Sequence, residues 1–273
     1  MRWNEGRTAR VIAVSSGKGG VGKTNCSVNL SVALARAGKN VMLVDGDIGL
    51  ANANILLGLN SPLTIADVIA RQCGLADVIV AGPSGVKIVP GHNGSGITAN
   101  LGRKEKRRLA DVFRPYAATL DYLILDTGTG VAPESLRLTS LSDMVMIVLS
   151  AEPTAFMDAY TLTKVLALDH GITSAAVVTN MVDDEGRGRE LFRHFREVVS
   201  RFLPTELLYL GSVPRDDHVR QSVLRKQCCL EAFPRSHASL AFGEIAGALA
   251  QLDPGLRETG DRFFGMEALH GAR

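Results

Sequence analysis

Val11-Ile12-Ala13-Val14-Ser15, followed after Ser16 by Gly17-Lys18-Gly19-Gly20-Val21-Gly22-Lys23-Thr24, is the stretch that decides how this chain folds. The first five residues form an apolar run without polar alternation, the pattern of a strand buried on both faces. Behind the glycines, Val28, Leu30, Val32 and Leu34 mark a buried helix over about 23–37. Strand, Gly-rich turn and helix in that order are the context that makes G-x-x-x-x-G-K-[ST] a phosphate-binding loop. Gly19, Gly20 and Gly22 let backbone N–H groups face a phosphate chain, and the helix N-terminus adds partial positive charge. Lys23 neutralises β- and γ-phosphate oxygens, and the Thr24 hydroxyl is placed to ligate Mg²⁺. Val21 and Asn25 complete the expected nucleotide-binding set. Lys18 is an extra lysine that such a loop does not require. It is either solvated or a second phosphate-directed charge, reaching a neighbouring subunit's nucleotide.

Outward from this loop, six further apolar runs recur: Asn40–Asp45, Val86–Pro90, Tyr122–Asp126, Met144–Ser150, Ala175–Asn180 and Leu208–Pro214. Helical patterns fill about 104–114, 155–169, 187–202 and 236–251. This alternation predicts an α/β fold: a mainly parallel, doubly wound sheet with helices on both faces. Ligands then bind at the carboxyl ends of the strands, near a switch in strand order. Residues 1–254 are expected to form one domain. Residues 255–273 are expected to be a C-terminal tail or short amphipathic helix in which Phe263, Phe264, Met266 and Leu269 make an apolar stripe. An interfacial membrane helix normally wants a cationic polar face. Here Arg257, Arg262 and Arg273 are cancelled by Glu258, Asp261 and Glu267, so packing on the body or fraying is the better reading.

Two more strands end in acid. Val41-Met42-Leu43-Val44 leads into Asp45-Gly46-Asp47, and Tyr122-Leu123-Ile124-Leu125 into Asp126-Thr127-Gly128-Thr129-Gly130. An Asp at the ligand-facing end of a buried strand suits a Mg²⁺ site, reached through water, and Asp47 is the candidate for orienting an attacking water. Positioning and charge stabilisation suffice for such chemistry, with no covalent intermediate.

Composition narrows the rest. The chain has 273 residues, 46% of them hydrophobic, with 30 Lys and Arg against 28 Asp and Glu, a net charge of +2. That near-balance excludes a strongly basic nucleic-acid coat. No apolar run approaches ~18 residues, and the first residues hold no signal core, so a cytoplasmic protein is expected. Cys26, Cys73, Cys228 and Cys229 fit neither a zinc site, an iron–sulfur carrier nor a disulfide framework, and reduced thiols are expected. The six histidines show no metal spacing. Arg103-Lys104-Glu105-Lys106-Arg107-Arg108 reads as a solvated helix face, since no aromatic platform flanks it, and nucleic acid is not expected as a partner.

The loop resembles the deviant Walker A of the MinD/ParA class of ATPases, with Lys18 at the position of that class's signature lysine. Asp45-Gly46-Asp47-Ile48-Gly49-Leu50-Ala51-Asn52 is similar to its D-x-D-x-G-L-x-N switch I, and Asp126 to Gly130 to its D-[ST]-x-A-G switch II. Thr179-Asn180 and Val213-Pro214-Arg215-Asp216 resemble its adenine-binding stretches, and the likeness runs from about Arg10 to Leu252. Within the class the chain is most similar to the FlhG/FleN family of flagellar number and placement regulators. Gly49 to Asn52 with Leu56-Leu57-Gly58, Pro90-Gly91 with Gly94 to Ile97, and Glu152-Pro153-Thr154 with Asp158-Ala159-Tyr160 carry that likeness.

The resemblance implies an ATPase switch using ATP/ADP and Mg²⁺. Gly19, Gly20, Gly22, Lys23 and Thr24 would hold phosphates and metal, and Asp45 and Asp126 would serve the Mg²⁺ site. Asp47 would place water, Lys18 would reach the partner's nucleotide in an ATP-bound homodimer, and Asn180, Pro214 and Asp216 would surround adenine. Slow, partner-stimulated turnover is implied, with flagellar partners: an FlhF-type GTPase, a flagellar switch component or a transcription activator. The alternative is a ParA/MinD-type ATPase positioning DNA, the septum or another polar machine. Three departures are visible. Thr129 replaces the family's usual Ala, either retuning hydrolysis or filling space. Asn54 stands where relatives often carry Asp. The first residues lack the D-Q-A-x-x-L-R leader through which relatives stimulate their GTPase. The family's C-terminal membrane helix has only a weak counterpart in Phe263–Leu269, so any contact with the inner membrane face or cell pole is expected to be peripheral and weak.

Overall fold

A computed structural model describes residues 9–47, 52–91, 103–252 and 261–264, excluding the side chains of 103–109 and 261–262. Eight strands form one sheet: β1 Arg10–Ser16, β2 Val41–Gly46, β3 Val80–Ala81, β4 Lys87–Val89, β5 Tyr122–Thr129, β6 Met144–Ser150, β7 Ser174–Val182 and β8 Glu206–Pro214. Their order is β3-β4-β2-β5-β1-β6-β7-β8, and every pair is parallel except β3 with β4. The fold is therefore the mainly parallel, doubly wound sheet expected. β1 lies between β5 and β6, the switch in strand order that leaves a crevice at the carboxyl ends.

The helices are α1 Lys23–Arg36, α2 Ala53–Leu56, α3 Ile65–Ile69, α4 Leu75–Val78, α5 Arg103–Ala117 and α6 Pro133–Thr139, then α7 Pro153–His170, α8 Glu185–Phe202, α9 Asp217–Leu224, α10 Cys229–Ala232, α11 His237–Gln251 and α12 Asp261–Phe264. Side chains of the central strands alternate between two cores. Ile12, Val14, Ile124, Met146 and Val148 pack with α1, α10 and α11 on one face. Val11, Ala13, Leu123 and Leu125 meet α3, α4, α5 and α12 on the other, and Val145, Ile147 and Leu149 meet α7 and α8. Caps are visible at several starts. Asp184 accepts from Arg187 N at 2.8 Å to open α8, and Ser236 accepts from Ser239 N at 3.2 Å to open α11.

All seven apolar runs are strands, and the five helical patterns are α1, α5, α7, α8 and α11. The sequence pattern does not reveal β3, a two-residue antiparallel edge, or the short helices α2 to α4, α6, α9 and α10. Elements of two to eight residues carry too few periods to show, and packing holds them in place. Phe263 and Phe264 of the expected apolar stripe are buried, and the Phe263 ring meets Phe113 of α5 edge to face at 5.5 Å. Met266 and Leu269 lie outside the described residues, as do the side chains of Arg103–Arg108. Among the described residues, no helix is long and apolar enough to cross a membrane.

Candidate nucleotide site

The Gly-rich loop leaves β1 and enters α1 through Gly22, whose φ of 87° lies in the left-handed region that glycine takes without penalty. A Cβ at Gly22 would also run into the Asn180 side chain, so this glycine serves both turn and close approach. At Gly17 a Cβ would overlap the backbone of Asp158 and Ala159 in α7, which packs directly on the loop.

Below the loop sits a buried charged cluster. Lys23 Nζ donates to Asp126 Oδ1 at 2.9 Å and lies 3.7 Å from Asp47 Oδ2. The side chains of Lys23, Asp126 and Asp47 are only 4%, 0% and 17% exposed. Ser27 Oγ, one helical turn beyond Lys23, donates to the same Asp126 oxygen at 2.8 Å. Asp126 Oδ2 is buried with no partner among the described residues. A carboxylate oxygen so placed requires a donor or a cation, and Thr24 follows Lys23 directly in the chain. This orphaned oxygen is where a Mg²⁺ with its water would fit.

Asp45 is used differently. Its Oδ2 accepts from Asn52 N at 2.8 Å and Ala53 N at 2.9 Å, and its Oδ1 from Asp47 N at 3.2 Å. The carboxylate thus brackets Ile48–Ala51, which lie outside the described residues. Burial, and then the charge of Asp126, push the Asp45 carboxyl up to about 7, against the pull of those three N–H groups. Burial also raises Asp47, and the Lys23 ammonium opposes it.

Lys18 has partners of its own: Glu152 Oε2 at 2.7 Å and Thr154 Oγ1 at 2.8 Å, both at the start of α7. In this arrangement it is paired rather than freely solvated. That hydrogen bond holds the Glu152 carboxyl below its ordinary range. Thr129 is exposed at the end of β5, which removes the space-filling reading of that position. Asn54 keeps a buried Oδ1 without a partner among the described residues.

Beside the loop, a cavity of about 560 Å³ runs between the ends of β7 and β8 and α9. Gly22, Asn25, Asn180, Pro214 and Asp216 line it, with Met181, Val219, Val223, Leu224 and Phe242 supplying apolar walls. Asn180 Nδ2 donates to Val21 O at 2.7 Å, which fastens the loop to β7. The Asp216 carboxylate is occupied: Oδ1 accepts from His218 N and faces His218 Nδ1 at 2.8 Å, and Oδ2 accepts from Ala238 N at 3.0 Å. It anchors α9 and α11, the cavity's walls. Met181 has φ 57°, an uncommon left-handed value for a non-glycine residue, where β7 shifts register against β8.

The structure thus gathers Lys23, Asp47 and Asp126 into one cluster and Gly22, Asn25, Asn180, Pro214 and Asp216 around one cavity. Sequence reasoning missed Ser27, Asn29, Met181 and the Lys18 partners as site residues. Ser27 and Asn29 have a signal: each stands four residues after a site residue, Lys23 and Asn25, on the same helix face. The other contacts join distant parts of the chain and have none.

Residues 12–228 match the CobQ/CobB/MinD/ParA nucleotide binding domain. The chain is 45% identical over 237 residues to the antiactivator FleN of Pseudomonas aeruginosa, covering 87% of this chain and 85% of FleN. It is 30% identical over 257 residues to the flagellum site-determining protein YlxH of Helicobacter pylori, covering 93% and 86%. The septum site-determining protein MinD of Pyrococcus horikoshii OT3, solved in complex with Mg-ADP, superposes with a TM-score of 0.70 at 25% identity, covering 89% of this chain and 97% of that one. Motif, overall fold and sequence likeness agree: the chain belongs to the CobQ/CobB/MinD/ParA family of nucleotide-binding domains and shares the deviant P-loop of its MinD/ParA members.

Proposed function

We propose that this protein is an ATP-hydrolysing switch that forms a homodimer with ATP and regulates flagellar number, placement or assembly from the cytoplasm. The observation that carries the reading is the buried cluster: one lysine between two aspartates directly under the phosphate loop, with one carboxylate oxygen left unpartnered. The likeness to FleN and YlxH supports the flagellar part. Mg²⁺, when bound, would neutralise charge on the phosphates. Lys23 would leave its pairing with Asp126 and Asp47 for the β- and γ-phosphates, and Thr24 and Asp126 would hold the metal. Asp47, freed from Lys23, would orient the attacking water, and its carboxyl, raised by burial, suits an acceptor of that water's proton. Asp45 would tie switch I to β2 rather than touch the metal directly, because both its oxygens accept backbone N–H groups. Lys18 would exchange Glu152 and Thr154 for a phosphate of the partner's nucleotide. Asn180, Pro214 and Asp216 would frame the adenine end.

The test is the mass in solution of wild type and Asp47→Ala with ADP and with ATP–Mg²⁺. The expected result is a doubling with ATP that persists longer in the variant. A chain that stays monomeric in every state would remove the dimer switch and the role given to Lys18.

A further inference from the structure

Two amides at the cavity have their polarity set by the fold. Asn29 is fully buried in α1, and its Oδ1 accepts from the backbone N–H groups of Cys229 at 2.8 Å and Leu230 at 3.3 Å, at the start of α10. A backbone N–H can only donate, so the other end of the Asn29 amide is Nδ2. That Nδ2 donates to Asn25 Oδ1 at 2.7 Å and to Asn25 O at 2.9 Å. Asn25 Oδ1 is therefore turned toward Asn29, and the end of Asn25 left for the cavity is its Nδ2, a donor. Asn180 is fixed the opposite way: its Nδ2 donates to Val21 O, so Oδ1 is the end it has left.

We propose that Asn29 is a positioning residue that locks Asn25 as a hydrogen-bond donor toward the bound nucleotide, so that the cavity presents one donor and one acceptor of fixed polarity. This rests on the ATP reading above and specifies which part of the nucleotide the cavity selects. A purine with an exocyclic amine beside N7 offers an acceptor and a donor, matching Asn25 and Asn180; guanine offers two acceptors on the same edge. The acceptor that Asn25 meets is either purine N7 or an oxygen of the first phosphate, and both demand a donor there. Were the amide reversed, a carbonyl oxygen would face an acceptor. The relay also ties nucleotide affinity to α10, about 200 residues away along the chain.

The experiment is equilibrium binding of Mg-ATP, Mg-7-deaza-ATP and Mg-GTP to the full chain, as wild type, Asn25→Ala, Asn29→Asp and the two combined. Asn25→Ala is expected to weaken ATP about five- to tenfold, the loss of one good hydrogen bond, in a chain that still melts cooperatively at a somewhat lower temperature, because one Asn29 N–H loses its acceptor. Asn29→Asp keeps the acceptor for α10 but cannot donate to Asn25 when ionised. It is expected to weaken ATP and GTP by the same factor, since both purines carry N7 and both nucleotides a first phosphate, and, combined with Asn25→Ala, to cost ATP nothing further, which a purely structural role would not do. If wild type binds 7-deaza-ATP weakly and Asn25→Ala no longer distinguishes it from ATP, the acceptor is N7. If the variant loses the same factor for both, the acceptor is the first phosphate. ATP affinity unchanged in Asn25→Ala overturns the proposal. So does wild-type ATP affinity in a folded Asn29→Asp, and if that variant does not fold, Asn25→Ala with the analogue pair decides. A wild-type chain that binds none of the three nucleotides overturns the ATP reading itself, and this proposal with it.

Discussion

The two ends of the crevice, the one proposed here for phosphates and the one proposed for the base, are built on opposite physical plans. At the phosphate end, Lys23 and Asp126 are buried and Asp47 partly so; Lys23 lies 2.9 Å from Asp126 and 3.7 Å from Asp47, and one Asp126 oxygen has no partner among the described residues. At the base end, Asn25 and Asn180 are neutral, and their directions are set by hydrogen bonds to backbone groups and to Asn29. The difference follows from what each end would meet. A polyphosphate is recognised by net charge, which tolerates small errors of geometry. A base is recognised by the order of donors and acceptors, which does not. Charge at one end therefore permits rearrangement, whereas the base end needs a rigid frame.

The largest test of this contrast is Lys23→Ala, expected to weaken ATP binding by on the order of 100-fold or more, since it removes a charge-assisted partner of the phosphates. It also leaves Asp126 buried without its cation, at a stability cost of about 3 kcal/mol, read as a fall in melting temperature in the absence of nucleotide. Next is Asp47→Ala, expected to keep ATP affinity within a few-fold while turnover drops by about 100-fold. Single-turnover phosphate release measures it, and unchanged turnover removes Asp47 from the role. Smaller is Asn180→Ala, expected to weaken ATP by about tenfold through the lost tether to Val21 and the lost amide. In titrations at rising salt, that loss should stay nearly constant, because no charge is involved, whereas the affinity set by Lys23 should fall.

The smallest effect is expected from thiol reagents. Both ends of the crevice are backed by buried free cysteines, Cys26 behind the phosphate loop and Cys228 and Cys229 behind the base end. Burial pushes Cys26 up to about 12 and Cys228 up to about 11, so neither offers thiolate at neutral pH. Mass spectrometry after mild alkylation of the native protein should find Cys73 as the labelled site, with nucleotide binding unchanged. Rapid labelling of Cys228 or Cys229 would show that the α10 end opens in solution, which the Asn29 relay forbids.

By itself the sequence determined what local chemistry can write. The run Val11–Ser15, the loop Gly17–Thr24 and the apolar residues of α1 are contiguous, and each states its own structure through period and residue type. Strands buried on both faces announced themselves as continuous apolar runs, and the aspartates at their ends marked the ligand edge. Only the tertiary structure decided which groups meet. Asp126 lies 103 residues from Lys23, and Cys229 lies 200 residues from Asn29, so no spacing rule reaches them. It also decided that Asp45 holds the backbone of Asn52 and Ala53, that Lys18 rests on Glu152, and that Phe263 docks on Phe113. Short elements such as β3 and α9 belong to the same class, because their stability comes from the surfaces they cover rather than from their own few hydrogen bonds.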